Sequence, residues 1–300
     1  MRKFYSIIIL SILSLSLFAQ NDTTSKWTRG GDFSVNFNQV NFTNWAAGGD
    51  NSVSGVTLFN YDVTYDDGRS SWKNKFIMGY GLQYLQDDYK KTEDKIDLSS
   101  LYGYKICKNW DASFNAFIKT QFAEGFDGDN DSVYVSKFMA PGYIGFGPGF
   151  TYKPVEYFTV FMSPATVQFV VVNDQRLADE GAYGVTAAEY DTAGMKIKDG
   201  EMMKTQFGFN LKAAFKKDIA KNVNLETTLE LFSDYLYKPE NIIVRWDVII
   251  DMAVNSWLSA KLTTGLIYDD NIVINDKSGN PLGPRTQFKE MFGLGLGIKF

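Results

Sequence analysis

Histidine is missing from the 300 residues of this chain, and cysteine occurs once, at Cys107. Without histidine, catalysis by serine–histidine pairs and histidine-based metal binding are excluded. A single cysteine excludes an internal disulfide. The sequence therefore predicts a protein that is not an enzyme and uses no cofactor and no metal, although a carboxylate-only or serine–lysine mechanism stays open.

The chain also has no excess of basic residues and, after its first residues, no long apolar run. It has 30 basic and 35 acidic residues and a formal net charge of -5, which argues against nucleic acid as a partner because nucleic-acid binding requires a basic patch. No stretch of about 18 apolar residues is available for a spanning helix. A membrane would therefore have to be crossed by strands.

The N-terminus has the pattern of a secretory signal. Arg2 and Lys3 precede an apolar stretch at 4–18, and the bond after Ala19 is a candidate cleavage point. The alternative, a transmembrane anchor, is disfavoured because the apolar stretch is short and contains four serines. We therefore expect an exported protein.

Alternation of apolar and polar residues is the most frequent pattern in the sequence. Twelve segments place apolar and polar residues on opposite faces with period two, and most are long enough to cross a bilayer as tilted strands. The links between them alternate in length, with short ones such as 66–69 and 216–222, and long ones such as 86–95 and 173–202. The predicted strands are 30–42, 52–65, 71–85, 95–106, 110–122, 140–153, 157–171, 203–216, 222–233, 241–253, 257–268 and 287–300.

These features predict an all-β fold, a transmembrane antiparallel β-barrel of about twelve strands in the outer membrane, with ten or fourteen strands as alternatives. Outer-membrane lipid would surround it. A secreted β-sandwich would share the alternation but gives no reason for aromatic residues at both strand ends, as at Trp72 and Tyr84. The predicted division is a signal peptide at 1–19, a short lead at 20–29 and a single barrel at 30–300.

Charged residues of both signs fall on the face that would point into the barrel. They fit either an ion-paired plug or a polar pore. The function predicted is a narrow channel or substrate-specific pore for small polar solutes. The alternative is a non-transporting structural or assembly partner of an outer-membrane protein complex. The predicted lumen charges are Lys73, Lys75, Asp97, Lys105, Asp111, Lys119, Lys212, Glu226, Glu230, Arg245, Asp247, Asp251 and Lys261.

Two long links carry acidic residues. Asp127, Asp129 and Asp131 alternate as calcium ligands do, but Ser132 and Phe138 stand where an EF-hand loop needs glycine and glutamate. A solvated acidic loop is favoured over a calcium site. The link at 173–202 is the longest and is open to three interpretations: it folds inward, binds a partner, or is mobile.

The link between the first two predicted strands is rich in small and amide residues. It contains Gln39, Asn44, Trp45, Gly48, Gly49 and Asn51. This segment closely resembles the signature of family 3078 of domains of unknown function from Bacteroidota, whose members look like outer-membrane proteins. The resemblance implies a barrel and a location but no activity. Physically, two consecutive glycines permit a sharp turn, and we interpret Trp45 as a structural plug residue at the mouth.

The chain ends on an alternating apolar strand. Gly295, Ile298 and Phe300 look like the C-terminal signal that the barrel-assembly machinery reads, and this likeness implies that machinery as a partner during biogenesis. A closing strand would need the same lipid-facing residues, so the two roles coincide.

Overall fold

A single closed antiparallel sheet dominates the computed structural model, which describes residues 25–40, 52–85, 88–127, 130–275 and 281–300. Twelve strands pair in chain order, and the last pairs with the first. The predicted fold class, a transmembrane antiparallel β-barrel of about twelve strands, is confirmed. The strands are β1 Trp27–Val40, β2 Ser52–Asp66, β3 Ser70–Leu85, β4 Asp88–Cys107, β5 Trp110–Thr120, β6 Gly142–Val155, β7 Phe158–Val171, β8 Met203–Ala220, β9 Val223–Asp234, β10 Ile242–Ala253, β11 Leu258–Tyr268 and β12 Gln287–Lys299.

The outer surface of the barrel is apolar. On β12, alternate residues from Phe292 to Ile298 are exposed, whereas Gly295 between them is buried. A belt of exposed apolar side chains requires an apolar surrounding. Closure pairs the backbone groups of neighbouring strands, as hydrocarbon demands. Exposed members of this surface on other strands are Phe33, Leu98, Phe114, Phe146, Phe207 and Trp246.

Two links differ from the sequence prediction. The predicted long link at 86–95 is wrong, because β4 begins at Asp88 and Leu85 pairs with it. A register shift between Gly81 and Leu82 accommodates this extension of the hairpin. The short link after β8 is tighter than predicted, since β8 runs to Ala220 and β9 starts at Val223. Also, β1 begins at Trp27, inside the predicted lead.

The short turns are stabilised by side chains. In the turn after β2, Asp67 Oδ1 accepts hydrogen bonds from the backbone amides of Arg69 at 3.0 Å and Ser70 at 2.6 Å. Gly68 has φ +84°, a conformation that glycine adopts without a steric penalty. The carboxylate thus satisfies the amides of a turn too short to pair them within the backbone.

The seam that closes the barrel is short. β1 pairs with β12 over six residues, from Asp32 to Phe37, whereas it pairs with β2 over fourteen. Two backbone hydrogen bonds between Gly31 and Phe300, of 2.8 and 3.0 Å, extend the seam. The Phe300 ring lies 6.3 Å from the rings of Phe59 and Tyr61. A Cβ on Gly31 would be 2.9 Å from that ring, so glycine leaves the space in which the last residue packs.

Candidate functional site

A polar cavity of about 470 Å³ lies inside the barrel. Its lining residues come from β2 to β11, mostly from alternate positions. The predicted lumen charges that line it are Lys73, Lys75, Asp97, Lys119, Lys212, Glu226, Glu230, Arg245 and Asp247. The structure therefore brings most of the predicted charges together around one space.

Sequence reasoning missed three further charged residues that line the cavity: Asp62, Lys95 and Lys216. A signal existed for two of them. Asp62 stands directly opposite Lys75 in the β2–β3 hairpin, and Lys216 continues the inward alternation of Lys212 on β8. Lys95 is the last residue of the predicted link at 86–95 and the first of the predicted strand at 95–106, and it was not assigned to the lumen.

The other four predicted charges lie near the short turns instead of around the cavity. Lys105 and Asp111 face each other at the end of the β4–β5 hairpin, and Asp111 forms an ion pair with Lys153. Asp251 and Lys261 face each other on β10 and β11. A second contact of Asp251 is Lys299, at 3.4 Å. These residues therefore belong to the short-turn end of the lumen.

One ion pair crosses the lumen. Lys75 Nζ on β3 lies 2.7 Å from Glu226 Oε1 on β9, and in a ring of twelve strands these two are six apart in either direction. The second oxygen of Glu226 lies 3.0 Å from Lys216. Opposite walls are thus joined, and the free cross-section of the lumen is reduced at this level.

A second bridge is centred on Glu230, whose side chain is almost fully buried. Its carboxylate lies 2.9 Å from Lys119 on β5 and accepts a hydrogen bond of 3.2 Å from the Asn210 amide. Lys212 on β8 and Arg245 on β10 stand directly opposite Glu230 on its two neighbouring strands. One carboxylate is therefore surrounded by three cations, because cross-strand partners lie about 5 Å apart at Cβ.

Several lining charges are not paired. Within the described ranges, Lys73, Lys95 and Lys212 make no hydrogen bond or ion pair through their ammonium groups, and the same is true of the Asp97 and Asp247 carboxylates. Isolated charges away from water are costly. The cavity therefore has to be hydrated or occupied by counter-charges.

The link at 172–202, here called the cap, is folded. It contains helix α1 at Gln175–Asp179, a 3-10 turn at Ala182–Gly184 and a small hairpin. Its residues Val172, Leu177, Ala178 and Val185 form an apolar core with Ala140 of the β5–β6 link. The structure shows this link packed against neighbouring links, and partner binding stays a prediction. The hairpin joins Glu189–Tyr190 to Lys196–Lys198.

Asp174 connects the cap to the neighbouring link between β5 and β6. Its carboxylate accepts hydrogen bonds from the Leu177 amide at 3.0 Å and the Tyr134 hydroxyl at 2.8 Å, and lies 2.5 Å from Lys137 Nζ. Burial alone would raise the pKa of this carboxyl, but the hydrogen bond from Lys137 and the other two donors outweigh burial and lower the pKa to about 2. Asp174 is therefore ionised in the folded cap at neutral pH.

The cap crosses the mouth at the long-loop end. On one side, the Tyr183 hydroxyl donates a hydrogen bond of 2.7 Å to the Val135 carbonyl in the β5–β6 link. On the other side, Gly184 lies against Asn271 in the β11–β12 link, where a Cβ would be 2.9 Å from that side chain. These links are six strands apart. Partial burial raises the pKa of Tyr183 to about 12.

Two predicted sites lie largely outside the described residues. Asn44, Trp45, Gly48, Gly49 and Asn51 fall in the segment at 41–51. Only the backbone of Gln39 is described, and it pairs with Val53. The calcium candidates Asp127, Asp129 and Asp131 are also outside, since their side chains are not described.

Elsewhere in the described ranges, no cluster of three or more acidic, cysteine or histidine side chains is arranged to hold a metal ion. Among the same residues, no helix has the length and apolar character needed to span a membrane. Both findings are limited to that part of the chain.

Residues 37–126 match a family described as "Protein of unknown function (DUF3078)". The match includes the Trp45 segment and the strands up to β5, which is less than half of the chain. It supports the resemblance to family 3078, and an origin in Bacteroidota stays a prediction. No curated protein matches the chain.

Solved structures of membrane barrels are similar at low identity. The translocator domain of autotransporter NalP from Neisseria meningitidis is 10% identical, with a TM-score of 0.34 over 100% of this chain and 96% of that one. The COG4313 outer membrane channel from Pseudomonas putida F1 is 11% identical, with a TM-score of 0.41 over 94% and 99%. The beta domain of the Bordetella autotransporter Brka is 9% identical, with a TM-score of 0.31 over 90% and 98%. The barrel assignment rests on the strand pairing of this chain itself.

Proposed function

We propose that the protein is an outer-membrane channel that passes small polar solutes through a narrow, charged lumen. The single observation that carries the proposal is the cavity of about 470 Å³ lined by unpaired charges of both signs. Such charges require water or charged solutes around them. A filled structural barrel would instead pair them or replace them with apolar side chains.

The passage is narrow because ion pairs cross it. The Lys75–Glu226 bridge joins opposite walls, and the cap covers the mouth at the long-loop end. The described arrangement is then a closed or low-conductance state, and opening requires displacement of the cap. No catalytic step belongs to this function.

The outer membrane as location is part of the proposal. It is supported by the exposed apolar exterior of the barrel, by the secretory pattern of residues 1–19 and by the C-terminal likeness at Gly295, Ile298 and Phe300. In this proposal, the tight turns face the periplasm and the long links face the exterior.

The test is conductance of the purified full chain in planar bilayers. Wild type should show small, brief openings, and Glu226→Gln should increase the conductance because the cross-lumen bridge is lost. Glu189→Gln is the matched control, since Glu189 pairs with Lys198 at 3.2 Å on the exposed hairpin of the cap, where such pairs have little effect. A barrel that stays silent in all three forms, at several voltages, contradicts the proposal.

A second candidate is a non-transporting structural or assembly partner of an outer-membrane protein complex. The bridged lumen and covered mouth favour it, because both oppose transport. Photo-crosslinking in cells from exposed positions of the cap, such as Met195, should then trap one defined protein neighbour. Recovery of lipid adducts alone counts against this candidate.

A further inference from the structure

We infer that the lumen cavity binds small oxyanions, such as inorganic phosphate or a small carboxylate, at a site formed by Lys119, Lys212 and Arg245. This inference names the solute class for the proposed channel, and it rests on that proposal only for transport. Binding itself can be measured whether or not the barrel conducts.

The charge of the cavity has the opposite sign to that of the chain. Seven lining side chains are basic and five are acidic, whereas the whole chain has a formal net charge of -5. A confined space with an excess of positive charge raises the local concentration of anions. The lumen and the rest of the molecule therefore prefer solutes of different sign.

The existing ion pairs do not remove this excess. Glu226 is shared by Lys75 and Lys216, so that one carboxylate faces two ammonium groups. Glu230 faces Lys119 directly and has Lys212 and Arg245 as its cross-strand neighbours. Both carboxylates in the bridges are therefore outnumbered by cations.

Acidic groups near the site balance its three cations, so the positive excess of seven basic against five acidic side chains belongs to the cavity as a whole. Asp97 stands directly opposite Lys119 on β4, and with Glu230 and Asp247 it supplies three negative charges against the three positive ones. Asp247 lies one inward position from Arg245 on β10, opposite Thr228. An anion with one or two negative charges would bring the net charge of the cavity close to zero.

The donor groups suit an oxyanion. Lys212 has no hydrogen-bond or ion-pair partner among the described residues, so its ammonium is free to contact a ligand. Arg245 offers a planar fork of donors, which matches carboxylate and phosphate oxygens. Its guanidinium lies 5.3 Å from the centre of the Tyr143 ring, a contact that orients it.

The direct test is equilibrium binding of inorganic phosphate to the full chain in detergent at low ionic strength, followed by phosphorus NMR. Lys212→Gln should weaken binding by about tenfold, since it removes one charged donor. Asp247→Asn should strengthen binding modestly, because it removes a nearby negative charge. Lys221→Gln is the control: it removes the same charge from the exposed turn after β8 and should change nothing.

A heat-modifiable gel band checks that each variant is a folded barrel. Absence of phosphate binding to folded wild type, or equal affinity in Lys212→Gln and Lys221→Gln, overturns the inference. The ion preference in a potassium chloride gradient separates the two proposals. Anion preference supports the channel and the oxyanion site. Cation preference together with absent phosphate binding contradicts the oxyanion site and supports the channel. Phosphate binding to a barrel that does not conduct supports the oxyanion site and contradicts the channel.

Discussion

Inside the barrel, the side chains that meet across the space are charged, and the ion pairs at Glu226 and Glu230 have lengths of 2.7 to 3.0 Å. Inside the cap, the side chains that meet are small and apolar, with Leu177, Ala178 and Val172 almost completely buried. A water-soluble domain has the reverse arrangement, with its apolar core inside the sheet. In the membrane location proposed above, lipid would solvate the apolar outer face, so the enclosed space is available for polar groups.

The barrel wall and the cap are therefore stabilised by different kinds of interaction. The barrel wall depends on backbone pairing between its strands, and charged side chains line the space that it encloses. The cap excludes water from a small apolar core and is fixed to its neighbours by Asp174 and Tyr183. Each region should therefore be perturbed independently of the other.

Removal of the cap has the largest expected effect. Replacing residues 175–200 with a short glycine–serine linker should increase conductance several-fold, because the mouth is then uncovered. The barrel should survive, since the Val172 amide and the Met202 carbonyl at the base of the cap are already 2.8 Å apart. Replacing only the exposed hairpin tip at 191–194 with Asn-Gly is the control. Identical conductance in both variants would show that the cap does not obstruct the mouth.

Breaking a lumen ion pair should destabilise the barrel wall. Lys119→Met leaves the buried Glu230 carboxylate without its closest cation, which should lower the free energy of unfolding by about 2 kcal/mol, since Lys212 and Arg245 remain as its cross-strand neighbours. The paired measurement is Lys198→Met, which removes the exposed pair with Glu189 and should cost less than about 1 kcal/mol. Urea unfolding in lipid, followed by tryptophan fluorescence, compares them, and equal losses would contradict the buried role of Glu230.

Truncation of a side chain in the apolar core should destabilise the cap alone. Leu177 is 2% exposed, and Leu177→Ala should cost the cap about 3 kcal/mol. Hydrogen exchange of the amides at 174–185 should then accelerate, while the amides of β9 stay protected. Ile197→Ala, at a side chain 65% exposed, serves as the control and should leave both regions unchanged. Faster exchange throughout the barrel would mean that the two regions are not independent.

Acid should loosen the cap, and this effect is the smallest. The pKa of Asp179 is lowered to about 2 by hydrogen bonds from Lys196, the Gly200 amide and Gln175, and that of Asp174 to about 2 as described above. Both lie below the ordinary value of 3.8, so their stabilising contribution is complete above about pH 4 and is lost as the pH falls to about 2.

Pepsin cleavage, normalised to a reference substrate, should therefore cut the cap faster at pH 2 than at pH 4. In the double variant Asp174→Asn, Asp179→Asn the two rates should be similar. A wild-type cap that is cut equally at both pH values would show that these carboxylates do not hold it closed.

The strands were predictable because the period of two is a local property. Segments such as Thr205 to Phe215 or Val223 to Leu231 show it without knowledge of any neighbour. The start of β4 was predicted wrongly because Asp88, Lys90 and Glu93 suggest a solvated loop. These residues instead lie in a hairpin that extends past the predicted strand end. Charge alone did not separate an extended hairpin from a loop.

The interior of the site was only half predictable. Inward orientation follows from alternation, and most of the predicted charges line the cavity. The bridge from Lys75 to Glu226 joins residues 151 positions apart, and it depends on the strand number and stagger of the closed barrel. The cap core was invisible for a related reason: Leu177, Ala178 and Val185 lie in a segment without periodicity, and their partner Ala140 comes from another link.

Neighbouring residues of β9 offer the most direct test of the claim that alternate side chains face water inside and lipid outside. In a cysteine-free background made by Cys107→Ser, Thr228→Cys places a thiol at the cavity, and Leu229→Cys places one beside the exposed Trp246. In liposomes, a charged, membrane-impermeant thiol reagent should label Thr228→Cys and leave Leu229→Cys unmodified. Equal labelling of both positions, or labelling of Leu229→Cys alone, would contradict the account.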